Sequence, residues 1–185
     1  LPDPILPLIK KTFAEYKPEA ASRPPLGPEF KSFSRERGLV VTDAEMAYCQ
    51  VQMMNLKPGH PPTVTEEDWR GDLVESLAGW IVGRRFDERV KRGEASYRRA
   101  GAGVSDFFHE AVQVSVYATG EAKDWSKMLE QAIAEIKAAR ELGFTGHELD
   151  LARKDFLASA ERSVRTESTR NANAILGEII SSVNS

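Results

Sequence analysis

The chain has 185 residues, 41% of them hydrophobic and 29% charged, with a formal net charge of −3. That balance suits one soluble domain with a real core and a short appendage, and a net-negative chain is not the electrostatic footprint of a general nucleic-acid binder. No apolar run approaches the twenty or so residues that span a bilayer, no signal-peptide pattern opens the sequence, and the single cysteine, Cys49, excludes an internal disulfide framework and a cysteine-based zinc site.

Asp3-Pro4 reads as the N-cap and first position of a helix, and Ile5, Leu8, Ile9 and Phe13 give that helix an apolar stripe ending near Tyr16. One short amphipathic helix cannot bury its face alone, so residues 1–16 are expected to close a preceding domain. Residues 17–38 hold Pro18, Pro24, Pro25 and Pro28 with Gly27 and Gly38, and no period survives there. They predict a semi-rigid linker. Residues 39–185 then read as the main domain.

Leu39-Val40-Val41 predicts a short β run. Between Glu45 and Leu56, Ala47, Cys49, Val51 and Met53 alternate with Met46, Tyr48, Gln50 and Gln52, the period of a half-buried strand. Pro58-Gly59 and Pro61-Pro62 end it. Thr65 caps the clearest helix, with Asp68 at the capping-box offset and Glu66, Glu67 and Asp68 loading its first turn. The stripe Trp69, Leu73, Leu77, Trp80, Ile81 and Phe86 carries that helix from Glu66 to Lys91, and Gly93 stops it. Residues 95–104 and 110–118 predict a hairpin turning near Ser105-Asp106, with Val112, Val114, Val116 and Ala118 on one face. Asp124 is expected to cap a helix with Trp125, Met128, Leu129, Ala132, Ile133, Ile136 and Ala139 on its apolar side, and Gly143 is the natural residue to end it. Thr145 and Glu148 form a second capping box for a helix fading near Arg165. After a polar break at Thr166 to Arg170, Ala174, Ile175, Ile179, Ile180 and Val183 give a last helix. The fold class is therefore α+β: a small, mostly antiparallel sheet with long helices packed on one face.

The chemistry-bearing residues form no catalytic pattern. His109-Glu110 begins like H-E-x-x-H but meets Gln113 at the last position, and none of His60, His109 or His147 completes H-x-x-E-H. Cys49 lies on the apolar side of a strand, where a thiol behaves as a small hydrophobe. Gly101-Ala102-Gly103 lacks the helix that a phosphate loop needs. Arg84 to Arg99 contains seven basic residues against Asp87, Glu88 and Glu94; that excess can meet an acidic partner, or simply complement a helix C-terminus.

The order of these features resembles the insulinase/pitrilysin family of zinc metallopeptidases, in the non-catalytic domain that follows the catalytic one. Ile9-Lys10-Lys11-Thr12-Phe13 before the proline-rich connector looks like the helix closing that family's first domain. Thr42-Asp43-Ala44-Glu45 resembles the opening of its second. Trp69-Arg70, Leu73, Leu77 and Arg85-Phe86-Asp87-Glu88 are similar to its first long helix. Leu142-Gly143-Phe144-Thr145-Gly146-His147-Glu148-Leu149 with Ala152-Arg153 looks like its "G-F-T-x-x-E-L-x-x-A" helix junction, and Glu161 and Ser168 fall where following helices often carry such residues.

The resemblance implies an insulinase/pitrilysin-like α+β domain at residues 39–185 that lines part of a substrate chamber and supports a catalytic domain. The family's H-x-x-E-H and distal Glu are absent from this sequence, so no catalytic, cofactor-binding or metal residue is assigned, and zinc is expected in the catalytic domain of the parent. The family also holds substrate with an Arg and a Tyr; Arg89 and Tyr97 sit in a comparable region, but their spacing is off by one and they are not carried over. The implied partners are the catalytic domain of the same parent and its peptide or protein substrate, with no nucleic acid and no membrane span. The implied location is periplasmic or otherwise exported. Two other readings stay open: a catalytically inactive structural or partner subunit of the same fold, and an unrelated helix-rich interaction module using Arg84 to Arg99.

Overall fold

The computed structural model describes residues 5–15, 35–59, 63–107 and 111–184. The first element, α1, covers Ile5–Phe13. The Asp3-Pro4 start, Tyr16 and most of the linker lie outside the described residues. The main domain runs β1 (Cys49–Pro58), α2 (Glu66–Lys91), β2 (Arg99–Phe107), β3 (Ala111–Gly120), α3 (Trp125–Leu142), α4 (Gly146–Thr166) and α5 (Ala172–Asn184).

The sheet is antiparallel with the order β1-β3-β2, so the last strand in sequence is central and the other two are edges. Alternation decides its faces. Val51 and Met53, Ala100 and Ala102, and Val116 and Ala118 point to one side, where Val82 and Phe86 of α2 and Met128 and Ala132 of α3 cover them. Exposed Gln50, Gln52 and Met54 stand on the other side. Helices therefore lie on one face of a small sheet, and the core between the layers centres on Phe86, Ile81 and Met128, each 2% exposed or less.

Close packing at one corner requires glycine. A Cβ on Gly120 would stand 2.7 Å from Met128 Sδ and 3.2 Å from the Ser96 carbonyl oxygen. The bulk that fills this corner comes from Met128 and Tyr97, both buried.

Helix ends follow their local chemistry. Thr65 accepts from the Asp68 amide at 3.1 Å, and the Asp68 carboxylate accepts from the Thr65 amide at 2.9 Å. Thr145 and Glu148 reproduce the arrangement at the start of α4, with bonds of 3.2 and 2.8 Å. Gly143, at φ 70° and ψ −148°, takes a positive-φ conformation that suits glycine, and it ends α3. Thr145→Ala is expected to cost about 1 kcal/mol, because it orphans an amide at the helix start, while Thr145→Ser keeps the cap. Urea-unfolding midpoints of the two variants at unchanged m-value check this.

Several expectations need correction. Leu39, Val40 and Val41 form no strand and are 81–88% exposed. The β-branched Val40 and Val41 have no neighbouring strand to pair with among the described residues, and strand propensity expresses itself through such pairing. The expected turn at Ser105-Asp106 is strand instead: these residues pair with Gln113 and Val112, and β2 runs on to Phe107. The ladder runs to the Phe107–Ala111 pair, and residues 108–110 between the two strands lie outside the described residues. β1 begins at Cys49 rather than Glu45, with Met46 and Tyr48 exposed before it. Asp124 does occupy the N-cap of α3, but its side chain makes no capping bond, because a short 3-10 turn over Ala122–Asp124 leads into the helix. Trp69 and Trp125, expected on apolar stripes, are 58% and 54% exposed.

Candidate functional site

The residues singled out for chemistry are dispersed or absorbed by packing. Among the described residues no group of three or more His, Cys, Asp or Glu stands close enough to hold a metal ion. His147 is exposed on α4, and His60 and His109 lie outside the described residues. Cys49 is half-buried on the core side of β1. The basic run is largely spent on carboxylates: Arg84 pairs with Glu88, Arg92 with Glu94, and Arg98 with Glu121.

The centre of that run builds a polar cluster that the sequence did not reveal. Arg85 donates to both oxygens of Glu148, at 2.6 and 3.0 Å, to the Gly143 carbonyl at 3.0 Å, and to Glu135 at 3.4 Å. Its guanidinium also lies 5.2 Å from the centroid of the Phe144 ring. Arg89 reaches the second oxygen of Glu135 at 3.3 Å. Glu135 is buried, yet two arginines meet it, which is the condition under which a buried carboxylate is tolerated. The hydrogen bonds from Arg85, helped by the Thr145 amide and hydroxyl, hold the Glu148 carboxyl down at about 2, against a burial that pushes the other way. Glu148 thus caps α4 and clamps it to α2 at once. The Arg85 guanidinium is shifted upward, first by its bond to Glu148.

Arg89 and Tyr97 are brought to the same corner, but Tyr97 is committed to the core. It is 4% exposed, its hydroxyl donates to the Phe86 carbonyl at 3.4 Å, and its ring meets that of Phe86 edge-on at 5.7 Å. Burial pushes its phenol up to about 12. This corner joins α2, α3 and α4.

The open space lies at the other edge. Among the described residues β2 has a single strand neighbour, β3, and a groove of about 510 Å³ runs between β2 and α2. Asp72, Glu75, Ser76, Gly79 and Trp80 form its α2 wall, at the spacing of one helix face, and residues 102–104 with Asp106 form the other. Gly79 lets the helix approach the Ala102 carbonyl closely. The Trp80 indole N–H donates to Asp155 of α4 at 3.0 Å, which fixes the ring. A second space of about 520 Å³ shares Glu75, Gly79 and residues 102–104 with it and continues inward to Met53, Val82, Val114 and Ile136. An edge strand presents unpaired N–H and C=O groups in a row, so the chemistry available is backbone pairing beside a shaped trough. Sequence alone gave no sign of it, because a strand's place in the sheet depends on pairings between distant segments.

No protein-family model matches the sequence, and no curated relative does. Solved structures do match in fold. The periplasmic protease PqqL from Escherichia coli superposes over 97% of this chain at a TM-score of 0.84 with 17% identity, and this chain spans 20% of that protein. The first half of the same protease gives 0.83 at 17% identity, with 38% of that half covered. A predicted insulinase family protease from Yersinia pestis gives 0.80 at 14% identity, with 98% of this chain and 39% of that one covered. In both layers and topology, the chain has an insulinase-like α+β fold.

Proposed function

We propose that this chain is a non-catalytic domain of a larger zinc-dependent endopeptidase, exported in its parent, where it forms part of the substrate-chamber wall and braces the catalytic domain. The observation that carries the reading is the match of nearly the whole chain to one fifth of a periplasmic protease. The domain's own contribution is binding. Its β2 edge and the adjoining groove can receive an extended peptide by strand addition, in which main-chain hydrogen bonds give affinity and side-chain pockets give preference. The Arg85 cluster holds α2, one wall of that groove, against α3 and α4.

The test takes the full-length protein carrying this chain and assays cleavage of an internally quenched peptide with and without a chelator. Zinc-dependent hydrolysis by the full-length protein, with neither cleavage nor stoichiometric zinc in the 185-residue chain alone, is the expected result. Zinc retained by that chain after dialysis against a weak chelator overturns the reading. A full-length protein that hydrolyses nothing replaces it with an inactive scaffold or partner subunit.

A further inference from the structure

An arginine–glycine bond, of the kind a trypsin-like peptidase hydrolyses, occurs at Arg37–Gly38, Arg70–Gly71 and Arg92–Gly93. Residue type does not rank the three. A peptidase must draw several residues into an extended, unpaired conformation, so the burial and hydrogen bonding of the backbone around each bond decide which is cut.

Two of the bonds are protected. Arg70–Gly71 lies inside α2. Arg92–Gly93 follows that helix, but its loop is tied down at almost every residue. The Gly93 amide donates to the Val90 carbonyl and the Glu94 amide to the Arg89 carbonyl, both at 3.0 Å. The Ser96 amide donates to the Gln131 side-chain oxygen at 2.8 Å, and the same side chain donates back to the Glu94 carbonyl at 3.0 Å. Tyr97 is buried, and the Arg98 amide already donates to Thr119 of β3 at 2.8 Å.

Arg37–Gly38 has none of this support. Residues 35–48 form neither helix nor strand, and every one of them is exposed. Among the described residues the backbone of residues 38–42 makes no hydrogen bond. The first bonds are those of a local turn, where the Met46 amide donates to the Asp43 carbonyl at 3.3 Å and the Glu45 amide to the Asp43 carboxylate at 2.8 Å. On the other side of the bond, α1 is exposed from Leu6 onward, its apolar side chains included, so burial does not hold it to the domain.

We propose that residues 35–38 are a processing site for a trypsin-like peptidase, where hydrolysis after Arg35 or Arg37 detaches α1 from an intact α+β domain. Water adds across the peptide bond, leaving a carboxylate on the arginine and a free α-amino group on Glu36 or Gly38. Every element of the sheet and of the helices that cover it stays on one side of the cut.

The experiment treats the 185-residue chain with a trace of trypsin and follows intact mass and N-terminal sequence over time. The first large fragment is expected to begin at Glu36 or Gly38, to accumulate, and to keep the urea-unfolding midpoint of the uncut chain. Cleavage at Arg92–Gly93 is expected to be about a hundredfold slower or more, because it waits for that loop to open. Short peptides spanning the two bonds are expected to be cut at similar rates, which assigns the difference to the fold. Combined Arg35→Gln and Arg37→Gln abolish the early trypsin cut, while elastase still cuts this variant after Val40 or Val41. A first cut anywhere else, or an Arg37–Gly38 bond that survives as long as Arg92–Gly93, overturns the proposal. So does a peptide pair that shows the same hundredfold difference, or a product that unfolds when α1 is released.

Discussion

Arg85→Ala is expected to destabilise the domain by about 3 kcal/mol, among the largest effects of any single polar substitution here. The side chain is only 19% exposed and holds two carboxylates and a helix-terminal carbonyl at once. Its loss leaves Glu135, with a side chain 6% exposed, to Arg89 alone. It also leaves Glu148 with its capping bonds but no counter-charge. Arg85→Lys keeps the charge but not the planar fork that engages both Glu148 oxygens, so it recovers only part of the loss. Equilibrium urea unfolding of the three proteins measures the difference.

The same cluster fixes a pH dependence. The Glu148 carboxyl falls from an ordinary 4.5 to about 2 in the folded protein. A depressed folded-state value means that its stabilisation is fully present above about pH 4.5 and is lost as pH falls toward 2. With its side chain 22% exposed, solvent screening leaves this contribution at about 2 kcal/mol. In Arg85→Ala the acid limb of the stability profile flattens, because the carboxyl then titrates closer to its unfolded value. An acid limb as steep as in the parent protein contradicts the assignment of this bond as the cause.

How much of this was legible in the sequence depends on the range of each interaction. The bounds of α2 could be read because Thr65 and Asp68 state its start, and Gly93, at φ 71°, follows its end. The α3–α4 corner was equally plain, since Gly143, Thr145 and Glu148 act within a few residues of one another. The second role of Glu148 was not, because its partner lies 63 residues away. Glu135 looked like an ordinary helix-surface acid until the fold buried it between two arginines. Trp69 and Trp125 were misplaced for the converse reason: helical spacing marks an apolar stripe but not whether a neighbour covers it. The groove needed the strand order, in which β3 takes the centre and leaves β2 at an edge.

Phe86→Ala is expected to be as damaging as the loss of Arg85, at about 3–5 kcal/mol. Phe86 is fully buried and sits where α2 crosses the sheet, against Tyr97, Ala118 and Met128. Removing its ring leaves a cavity that the surrounding β-strand backbone cannot close, and it deletes the edge-on contact with Tyr97. Against a typical domain stability of about 5–15 kcal/mol, that loss leaves the variant near unfolding. Phe86→Leu retains most of the volume and is expected to cost about 1.5 kcal/mol or less. A second readout separates local opening from general weakening. The Tyr97 phenol stands at about 12 because it is buried, with the Arg89 charge opposing that rise. In a folded Phe86→Leu protein the hydroxyl still donates to the backbone carbonyl of residue 86, so the phenol stays high. Where the cavity of Phe86→Ala admits water, the desolvation that raised it is relieved, and it falls toward 10. Ultraviolet titration of tyrosine ionisation, run on protein shown to be folded by circular dichroism, follows that fall. A Tyr97 that still titrates near 12 in folded Phe86→Ala would show that the sheet and α3 seal the corner without the phenyl ring.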